Sequence, residues 1–449
     1  MLENFFRLTE HKTSVRTEVI AGVTTFLTMS YIIFVNPDIL STTGMDRNAV
    51  FVATCLAAAI GSLVMGLVAN WPIGMAPGMG LNAFFAFTVV AAMGFTWQQA
   101  LGAVFISGVI FFLLTITGVR SWLIAGIPHS LRAAIAAGIG LFLGIIALKN
   151  SGIVVDNPAT LIGLGDLRQP GPLLAILGFF IIAGLDALKV RGAILIGILA
   201  VTVLSILIGL TPFQGVVSAP PSLAPTFLQL DLVGAIGAGI FQVVLVFVLV
   251  EVFDATGTLI GVAKRAGLIE EGKPNNLGRA LFADSTAIAA GSLLGTSSTT
   301  AYVESASGVQ AGGRTGLTAI VVAVLFLASL FISPLAASVP PYATAPALLY
   351  VAGLMLHELV DIDWADVTES TPAALTALAM PFTYSIANGL AFGFISYVVL
   401  KTVTGKPFSV HAATWLVAVL FVIRFAPFPR STGERKGVEL VAGASSPPG

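Results

Sequence analysis

Four carboxylates lie within strongly apolar stretches of this sequence: Glu251, Asp254, Asp284 and Glu304. Insertion scales put the cost of a charged side chain at the centre of a bilayer helix at about 2.5–3.5 kcal/mol, so such groups usually face a cavity. We expect no lysine or arginine deep enough in the apolar stretches to neutralise them. Carboxylates in this setting are suited to binding a proton and to accepting hydrogen bonds from a polar ligand.

Glu304 is the strongest of these candidates, because TTAYVESASGV (299–309) surrounds it with threonines, serines and a glycine. Asp254, in EVFDATGTLIG, is next, since small neighbours leave space for a ligand. Glu251 precedes Asp254 by three residues and shares roughly one helical face with it. Asp284 is nearer a predicted helix start, which favours a structural hydrogen-bonding role. A buried structural role is the alternative for each carboxylate.

The elements that carry these residues are predicted to be membrane helices. Hydrophobic residues make up 57% of the 449 residues and charged residues 10%, against about 25% charged residues in soluble domains. The net charge of −1 gives no indication of a nucleic-acid partner. We therefore predict an all-α polytopic membrane protein with fourteen segments, at about 19–36, 48–68, 78–92, 99–119, 130–148, 171–187, 192–210, 232–262, 277–294, 303–312, 315–338, 343–359, 371–386 and 388–404.

The distribution of positive charge predicts a cytoplasmic N-terminus. With alternating segments, eighteen of the lysines and arginines lie on the cytoplasmic side and three outside, if the further apolar run 411–426 does not cross the membrane. Lysine and arginine collect in cytoplasmic loops, so this arrangement fits better than the split of fourteen to seven that a crossing run would give. We expect residues 411–426 to lie at or partly in the membrane.

Two short, interrupted segments occupy corresponding places in two halves of the chain. Residues 53–63 (ATCLAAAIGSL) and 283–293 (ADSTAIAAGSL) are similar, and weaker matches follow in the same order. Shortly after each comes a stretch that opposes a continuous helix: WPIGMAPGMGLNAFFAF (71–87) and GTSSTTAYVESASGV (295–309). Because seven is an odd number, the second half must lie upside down relative to the first, which predicts two inverted repeats. Strands and half-helices in segments 3 and 10 are then predicted to surround a ligand. Alternatively, the glycines only permit close helix packing.

The sequence lacks the motifs that would indicate ATP hydrolysis, nucleophilic catalysis or metal binding. The sequence has no GxxxxGK[ST] phosphate loop and no evident nucleophilic triad, so neither ATP-driven transport nor an enzyme is predicted. The acidic stretch DIDWADVTES (361–370) has no metal-ligand spacing and is predicted to be a solvated cytoplasmic loop. We predict no catalytic residue, no metal and no cofactor other than a proton as the coupling ion.

These motifs together resemble the nucleobase:cation symporter-2 group, in particular its AzgA-like purine permease branch. The similarity runs from AGVTTFLTMSYIIFVNPDIL (21–40) through GMGLNAFFAF, FDATGTL and TSSTTAYVESASGV to ANGLAFGFISYVVLK (387–401). The resemblance implies a core domain and a gate domain, each assembled from both repeats. The implied parts are a cytoplasmic N-terminus (1–18), core (19–119 and 232–338), gate (130–210 and 343–404) and a C-terminal segment with its tail (405–449).

The resemblance also implies the site. Asp254 matches the acidic ligand of segment eight, and Thr258, one turn on, is expected to face the substrate. Some relatives have histidine at the position of Thr258, so proton linkage is left to Glu304 and Asp254. The other implied binding residues are Gly80, Asn82 and Phe84 in segment three and Glu304 and Ser305 in segment ten, with Thr28 and Ser30 as further candidates in segment one.

By resemblance, the expected function is import of purine nucleobases (adenine, guanine or hypoxanthine) by proton symport, with elevator-type alternating access in the cell membrane. The partners are then the base, the proton and the lipid bilayer; a homodimer is common among similar proteins, but the oligomeric state stays open. The alternatives are a transporter of another nucleobase (uracil or xanthine), an anion transporter of the same architecture, and a membrane-embedded enzyme or sensor.

Overall fold

The computed structural model describes residues 2–237, 241–269 and 276–425. Within these ranges, nine helices are long and apolar enough to cross a membrane. Shorter apolar helices cover Met79–Ala92, Ala193–Leu207 and Ala412–Ile423. The predicted all-α polytopic membrane fold is confirmed, whereas the count of fourteen segments stays a prediction. Parts of the predicted regions lie outside the described residues: Met1 at the N-terminus, 238–240 in segment eight, 270–275 in the second core part and 426–449 in the tail.

The first half of the chain contains ten α-helices: α1 (Leu2–Phe6), α2 (Val15–Met29), α3 (Ile32–Ser41), α4 (Arg47–Val64), α5 (Met79–Ala83), α6 (Trp97–Ile116), α7 (Val119–Gly126), α8 (His129–Asn150), α9 (Pro170–Ala187) and α10 (Ala193–Leu207). Two π-helical segments, Met65–Ala69 and Phe84–Ala92, extend α4 and α5.

The second half of the described chain contains another ten: α11 (Leu232–Gly237), α12 (Phe241–Arg265), α13 (Leu277–Leu294), α14 (Ser305–Gln310), α15 (Gly316–Ser329), α16 (Ser333–Ala337), α17 (Pro341–Met355), α18 (Val367–Phe382), α19 (Ile386–Val403) and α20 (Ala412–Phe425). The four strands are β1 (Met75–Pro77), β2 (Val154–Asn157), β3 (Leu161–Leu164) and β4 (Thr299–Ala301).

The first membrane segment is broken near its middle. The sequence predicts one span over 19–36, but α2 ends at Met29 and α3 begins at Ile32. Ser30 and Tyr31 between them keep helical backbone angles, and the amides of Ile33 and Phe34 donate to the Ser30 and Tyr31 carbonyls three residues back. The junction is therefore a tightened turn of the helix, and both junction residues are buried.

Strands β1 and β4 form an antiparallel pair in the interior, with Met75 opposite Ala301 and Pro77 opposite Thr299. Two flanking hydrogen bonds extend the pairing: the Gly78 amide donates to the Ser298 carbonyl at 2.9 Å, and the Tyr302 amide donates to the Gly74 carbonyl at 3.1 Å. Backbone groups at membrane depth need such partners, since lipid offers none. The predicted strands in segments 3 and 10 are thus confirmed.

A second hairpin lies between α8 and α9 and was not predicted. Strand β2 pairs antiparallel with β3, with Val154 opposite Leu164. The turn is stabilised by the Asn157 side chain, whose Oδ1 accepts from the Ala159 amide at 2.9 Å, a local bond that asparagine readily forms. This hairpin is additional to the predicted strands of segments 3 and 10.

The long helices pack in two groups. In one, α8 contacts α17 and α18, α9 contacts α10 and α17, and α18 contacts α19. In the other, α4, α6, α13 and α15 pack against each other and against α2 and α12. Contacts between the groups include those of α5 with α8, α2 with α10 and α3 with α17.

The acidic stretch 361–370 is not simply a solvated loop, as the sequence suggested. Helix α18 begins within it, and Asp366 caps the helix by accepting from the Thr368 amide and hydroxyl, each at 2.8 Å. These hydrogen bonds lower the pKa of the exposed Asp366 carboxyl. Glu369 pairs with Lys401 of α19 at 2.8 Å. The stretch therefore anchors the packing of α18 on α19.

Helix α20 corresponds to the predicted apolar run 411–426. Its 14 residues give a length of about 21 Å, which is less than a hydrocarbon core of about 30 Å. It packs against α19 and α7, and the Thr414 hydroxyl donates to the Gly126 carbonyl at 2.6 Å. Whether it spans the membrane stays a prediction; its length and its packing on α7 are in keeping with a helix that does not.

Candidate functional site

The candidate site is built around the antiparallel pair of strands β1 and β4. Each strand leads into a short helix: β1 into α5, and β4 into α14. Ser305, the first residue of α14, is fully buried, and its Oγ accepts a hydrogen bond from the Gly74 amide at 3.0 Å. The Tyr302 hydroxyl donates to the Pro77 carbonyl at 2.6 Å. These bonds hold the two half-helices on either side of one strand pair.

Glu304 lies between β4 and α14 and is half-buried. Its Oε1 accepts a hydrogen bond of 2.6 Å from the hydroxyl of Tyr31. The Thr28 hydroxyl donates to the Glu304 backbone carbonyl at 3.4 Å. The break in the first segment therefore faces this carboxylate. Of the two segment-one candidates, Thr28 contacts Glu304, whereas the Ser30 hydroxyl donates to the Leu27 carbonyl at 3.5 Å.

Asn82 of α5 is fully buried, yet neither its Oδ1 nor its Nδ2 has a hydrogen-bond partner within the described residues. Asn36 differs in that its Nδ2 donates to the hydroxyls of Thr54 and Thr296 at 2.7 and 2.9 Å, although its Oδ1 is likewise unpaired within the described residues. An unsatisfied buried amide costs free energy unless a ligand or water pairs with it. Asn82 thus has the character of a ligand-binding group.

Gly80 and Phe84 of segment three make close apolar contacts. A Cβ added to Gly80 would lie 2.7 Å from Cγ2 of Ile139 on α8, so the close-packing explanation of the glycines applies at this position. The Phe84 ring is 1% exposed and packs edge-on against Phe247, with centroids 5.0 Å apart. A stacking role of Phe84 toward a ligand stays a prediction.

Helix α12 carries the remaining predicted ligands. Thr258 is half-buried on it. Asp254 belongs to the same helix, but its side chain lies outside the part of the structure that is described. Glu251, one turn earlier, is fully buried, and its Oε1 accepts from the Ser107 hydroxyl at 3.2 Å. The sequence-based roles of Asp254 and Thr258 therefore stay predictions.

One sequence expectation about charge was wrong. Arg120, which the sequence placed in a cytoplasmic connection, is completely buried and lies 3.2 Å from Asp284. Its guanidinium also donates to the Thr256 hydroxyl at 2.9 Å and lies 3.8 Å above the Phe111 ring. A lysine or arginine does pair with one of the deep carboxylates, because the short helix α7 turns Arg120 into the interior.

The other oxygen of Asp284 reaches the strand pair. Its Oδ1 accepts from the Thr300 hydroxyl of β4 at 3.2 Å. This contact agrees with the structural hydrogen-bonding role that the sequence favoured for Asp284. Arg120 and Tyr31 are two polar residues of this region that the sequence argument missed, because neither contact has a local signal in the sequence.

Solved structures share this fold. The transmembrane domain of a cyanobacterial bicarbonate transporter, BicA, matches with a TM-score of 0.59 at 17% identity, over 91% of this chain and 96% of its own. The murine anion transporter Slc26a9 in its inward-facing state matches with a TM-score of 0.64 at 9% identity, over 87% of this chain and 69% of its own. The chain therefore shares the fold of these two transporter membrane domains.

Sequence comparison refines this class. The chain belongs to the Permease family, whose sequence profile matches residues 16–392. It is 53% identical to adenine permease AdeP of Escherichia coli, over 94% of this chain and 96% of the relative. It is 45% identical to guanine/hypoxanthine permease PbuO of Bacillus subtilis, over 93% and 99%. The protein is therefore a multi-pass membrane transporter and not an enzyme.

Proposed function

We propose that this protein imports purine nucleobases (adenine, guanine or hypoxanthine) across the cell membrane by proton symport. The similar proteins named for adenine and for guanine and hypoxanthine support the substrate class. The observation that carries the proposal is the buried amide of Asn82, unpaired within the described residues, beside the same strand pair as the half-buried Glu304 carboxylate.

A purine fits these groups chemically. Its ring nitrogens and exocyclic groups supply donors and acceptors at fixed angles, which an amide and a carboxylate can satisfy together. The proposed binding residues are Gly80, Asn82, Phe84, Asp254, Thr258, Glu304 and Ser305. In this assignment Glu304 and Asp254 accept from the base, Asn82 pairs with its edge, and Phe84 presents an aromatic face. A site built from hydrogen bonds rejects analogues that lack a partner group far more strongly than an apolar pocket does.

The coupling ion in this proposal is a proton bound by Glu304, with Asp254 as the second candidate carrier. Glu304 has no cationic partner among the described ion pairs, so it can exist in both protonation states without breaking a salt bridge. Asp284 is a poorer carrier, because Arg120 neutralises it. A proton taken up from the outer side would favour loading of the base there.

Transport is proposed to occur by elevator-type movement of a core domain (19–119 and 232–338) against a gate domain (130–210 and 343–404). The two helix groups support this division, since they pack closely within themselves. Among the contacts that must change are the hydrogen bonds of the Thr344 hydroxyl to Asp38 at 3.0 Å and of the Thr88 hydroxyl to the Tyr384 carbonyl at 3.3 Å. The N-terminus is cytoplasmic in this arrangement, and a homodimer would form through the gate domains.

The deciding experiment is uptake of labelled adenine, guanine and hypoxanthine into proteoliposomes, with and without an inward proton gradient. We expect gradient-driven accumulation of at least one base, and loss of accumulation in Glu304→Gln. Accumulation by Glu304→Gln equal to that of the unaltered protein would refute the role of this carboxylate. Uptake of uracil or xanthine alone, or of bicarbonate alone, would instead identify one of the alternative transporters.

A further inference from the structure

Tyr31 occupies an unusual place for a tyrosine. It lies at the break between α2 and α3, and only 1% of its surface is exposed. A buried tyrosine hydroxyl normally finds a hydrogen-bond partner. Its partner here is a carboxylate on a distant segment, Oε1 of Glu304, at 2.6 Å. A bond from a neutral donor to a carboxylate is stronger than a bond between neutral groups.

The first segment therefore holds Glu304 mainly through Tyr31. The Tyr31 hydroxyl donates to the carboxylate at 2.6 Å, whereas the Thr28 hydroxyl, whose shortest hydrogen bond is to the Thr25 carbonyl at 2.8 Å, lies 3.4 Å from the Glu304 backbone carbonyl. Both residues lie within one turn of the junction between α2 and α3. A shift of α3 relative to α2 would move the phenol with respect to the carboxylate.

We propose that Tyr31 is a positioning residue for Glu304, which orients the carboxylate toward the base and adjusts how readily it takes up the coupling proton. This inference rests on the proposed function of the site. A tyrosine hydroxyl can donate or accept. It donates to the ionised carboxylate, and after proton uptake it can accept from the neutral acid. Tyr31 thus keeps Glu304 in one place through both protonation states.

Two ionisable groups on the helices beside this carboxylate, Glu18 and Glu251, have hydrogen-bond partners of their own. The segment containing Glu304 packs against α2 and α12. Glu18 of α2 accepts from the amides of Arg314 and Thr315, and Glu251 of α12 accepts from Ser107. The ionisable groups on the neighbouring elements are Arg16 and Glu18 on α2, Asp38 on α3, Arg47 and Cys55 on α4, Glu251, Asp254, Lys264 and Arg265 on α12, Arg279 and Asp284 on α13, and Tyr302 after β4.

The test is Tyr31→Phe, which removes one oxygen and keeps the ring. A matched control is Tyr397→Phe, because the Tyr397 hydroxyl also donates to a glutamate, Glu369, at 3.1 Å, but on α19. Loss of the Tyr31 donor disfavours the ionised form of Glu304. The proton is then held to higher pH, so the pH at which purine uptake falls to half should rise by about one unit. The KM should increase about tenfold, and Tyr397→Phe should change neither.

A second variant tests the sign of the effect independently. Site-specific 3-fluorotyrosine at position 31 makes the phenol a stronger donor, so the half-maximal pH should fall instead of rising. Opposite shifts for the two variants would support the proposal. Equal pH profiles in Tyr31→Phe, Tyr397→Phe and the unaltered protein would overturn it, as would shifts in the same direction for both changes at position 31. Failure of the unaltered protein to take up any purine would refute the proposed function itself, a distinct result.

Discussion

Gly80 offers the most direct test of how the two helix groups meet. Substitution by alanine places a Cβ 2.7 Å from Cγ2 of Ile139, and the other contacts of this Cβ are with the same side chain, at 3.8 and 3.9 Å. Ordinary carbon contacts are about 3.5–4.0 Å, so Ile139 would have to move by about 1 Å. A β-branched residue in a helix has one strongly preferred rotamer, and Ile139 is 4% exposed.

Two opposing effects decide the outcome. Alanine in place of glycine within a helix stabilises that helix by about 0.8–1.0 kcal/mol. Overpacking of a filled interior costs about 1–3 kcal/mol. The cost of the clash should therefore exceed the gain in helix stability wherever α5 faces Ile139. The population of that arrangement should fall by a factor of up to about 40. We expect the maximal rate of purine uptake by Gly80→Ala to fall several-fold, and by no more than about 40-fold, with little loss of folded protein.

The assay is initial-rate uptake in proteoliposomes, with thermal unfolding of the purified variants as a check on folding. Adding Ile139→Ala to Gly80→Ala removes the γ2 methyl and should restore most of the rate. Ile139→Val is the matched control, because valine keeps that methyl and should restore little. If neither second substitution restores uptake, steric contact with α8 is not the cause, and direct approach of the substrate to the Gly80 backbone would explain the loss.

The remaining predictions concern buried polar groups. Asn82→Ala should weaken purine binding at least tenfold while leaving the thermal unfolding temperature unchanged or higher, because its amide has no hydrogen-bond partner in the described protein. The control, Asn36→Ala, should lower the unfolding temperature. A fall of equal size in both variants would contradict the assignment of Asn82 to a ligand. Arg120→Met should destabilise the protein by about 3–5 kcal/mol by leaving Asp284 unpaired. The double variant Arg120→Met with Asp284→Leu should recover much of this in denaturation assays; no recovery would show that the charges do not act as a pair.

The sequence predicted those features that have a local cause. Proline and glycine in 71–87 and the serine- and threonine-rich run 295–309 oppose helix formation wherever they occur, so the strands of segments 3 and 10 could be foreseen. A single carboxylate in such a run is costly in a membrane, which singled out Glu304 before its surroundings were known.

Other features depend on contacts between residues far apart in the chain. The pairing of Arg120 with Asp284 of α13 requires α7 to turn inward against α12, and a cation at the end of an apolar segment normally indicates a loop. In the sequence, Tyr31 cannot be distinguished from an ordinary aromatic residue of the core. Its hydrogen bond to Glu304 becomes visible only in the folded structure. The hydrogen-bonding state of Asn82 is likewise a property of the assembled interior.

The β1–β4 pair has a consequence for how the protein is made. Residues 75–77 pair with residues 299–301, which the ribosome adds more than 200 residues later. At about 5–20 residues per second, the first strand waits about 10–45 s for its partner. During that interval its amides and carbonyls have no strand partner at membrane depth, where lipid cannot hydrogen-bond to them. The newly inserted first half is therefore an incomplete structure that its own second half must finish, and a chain released before β4 should be a substrate for membrane quality control.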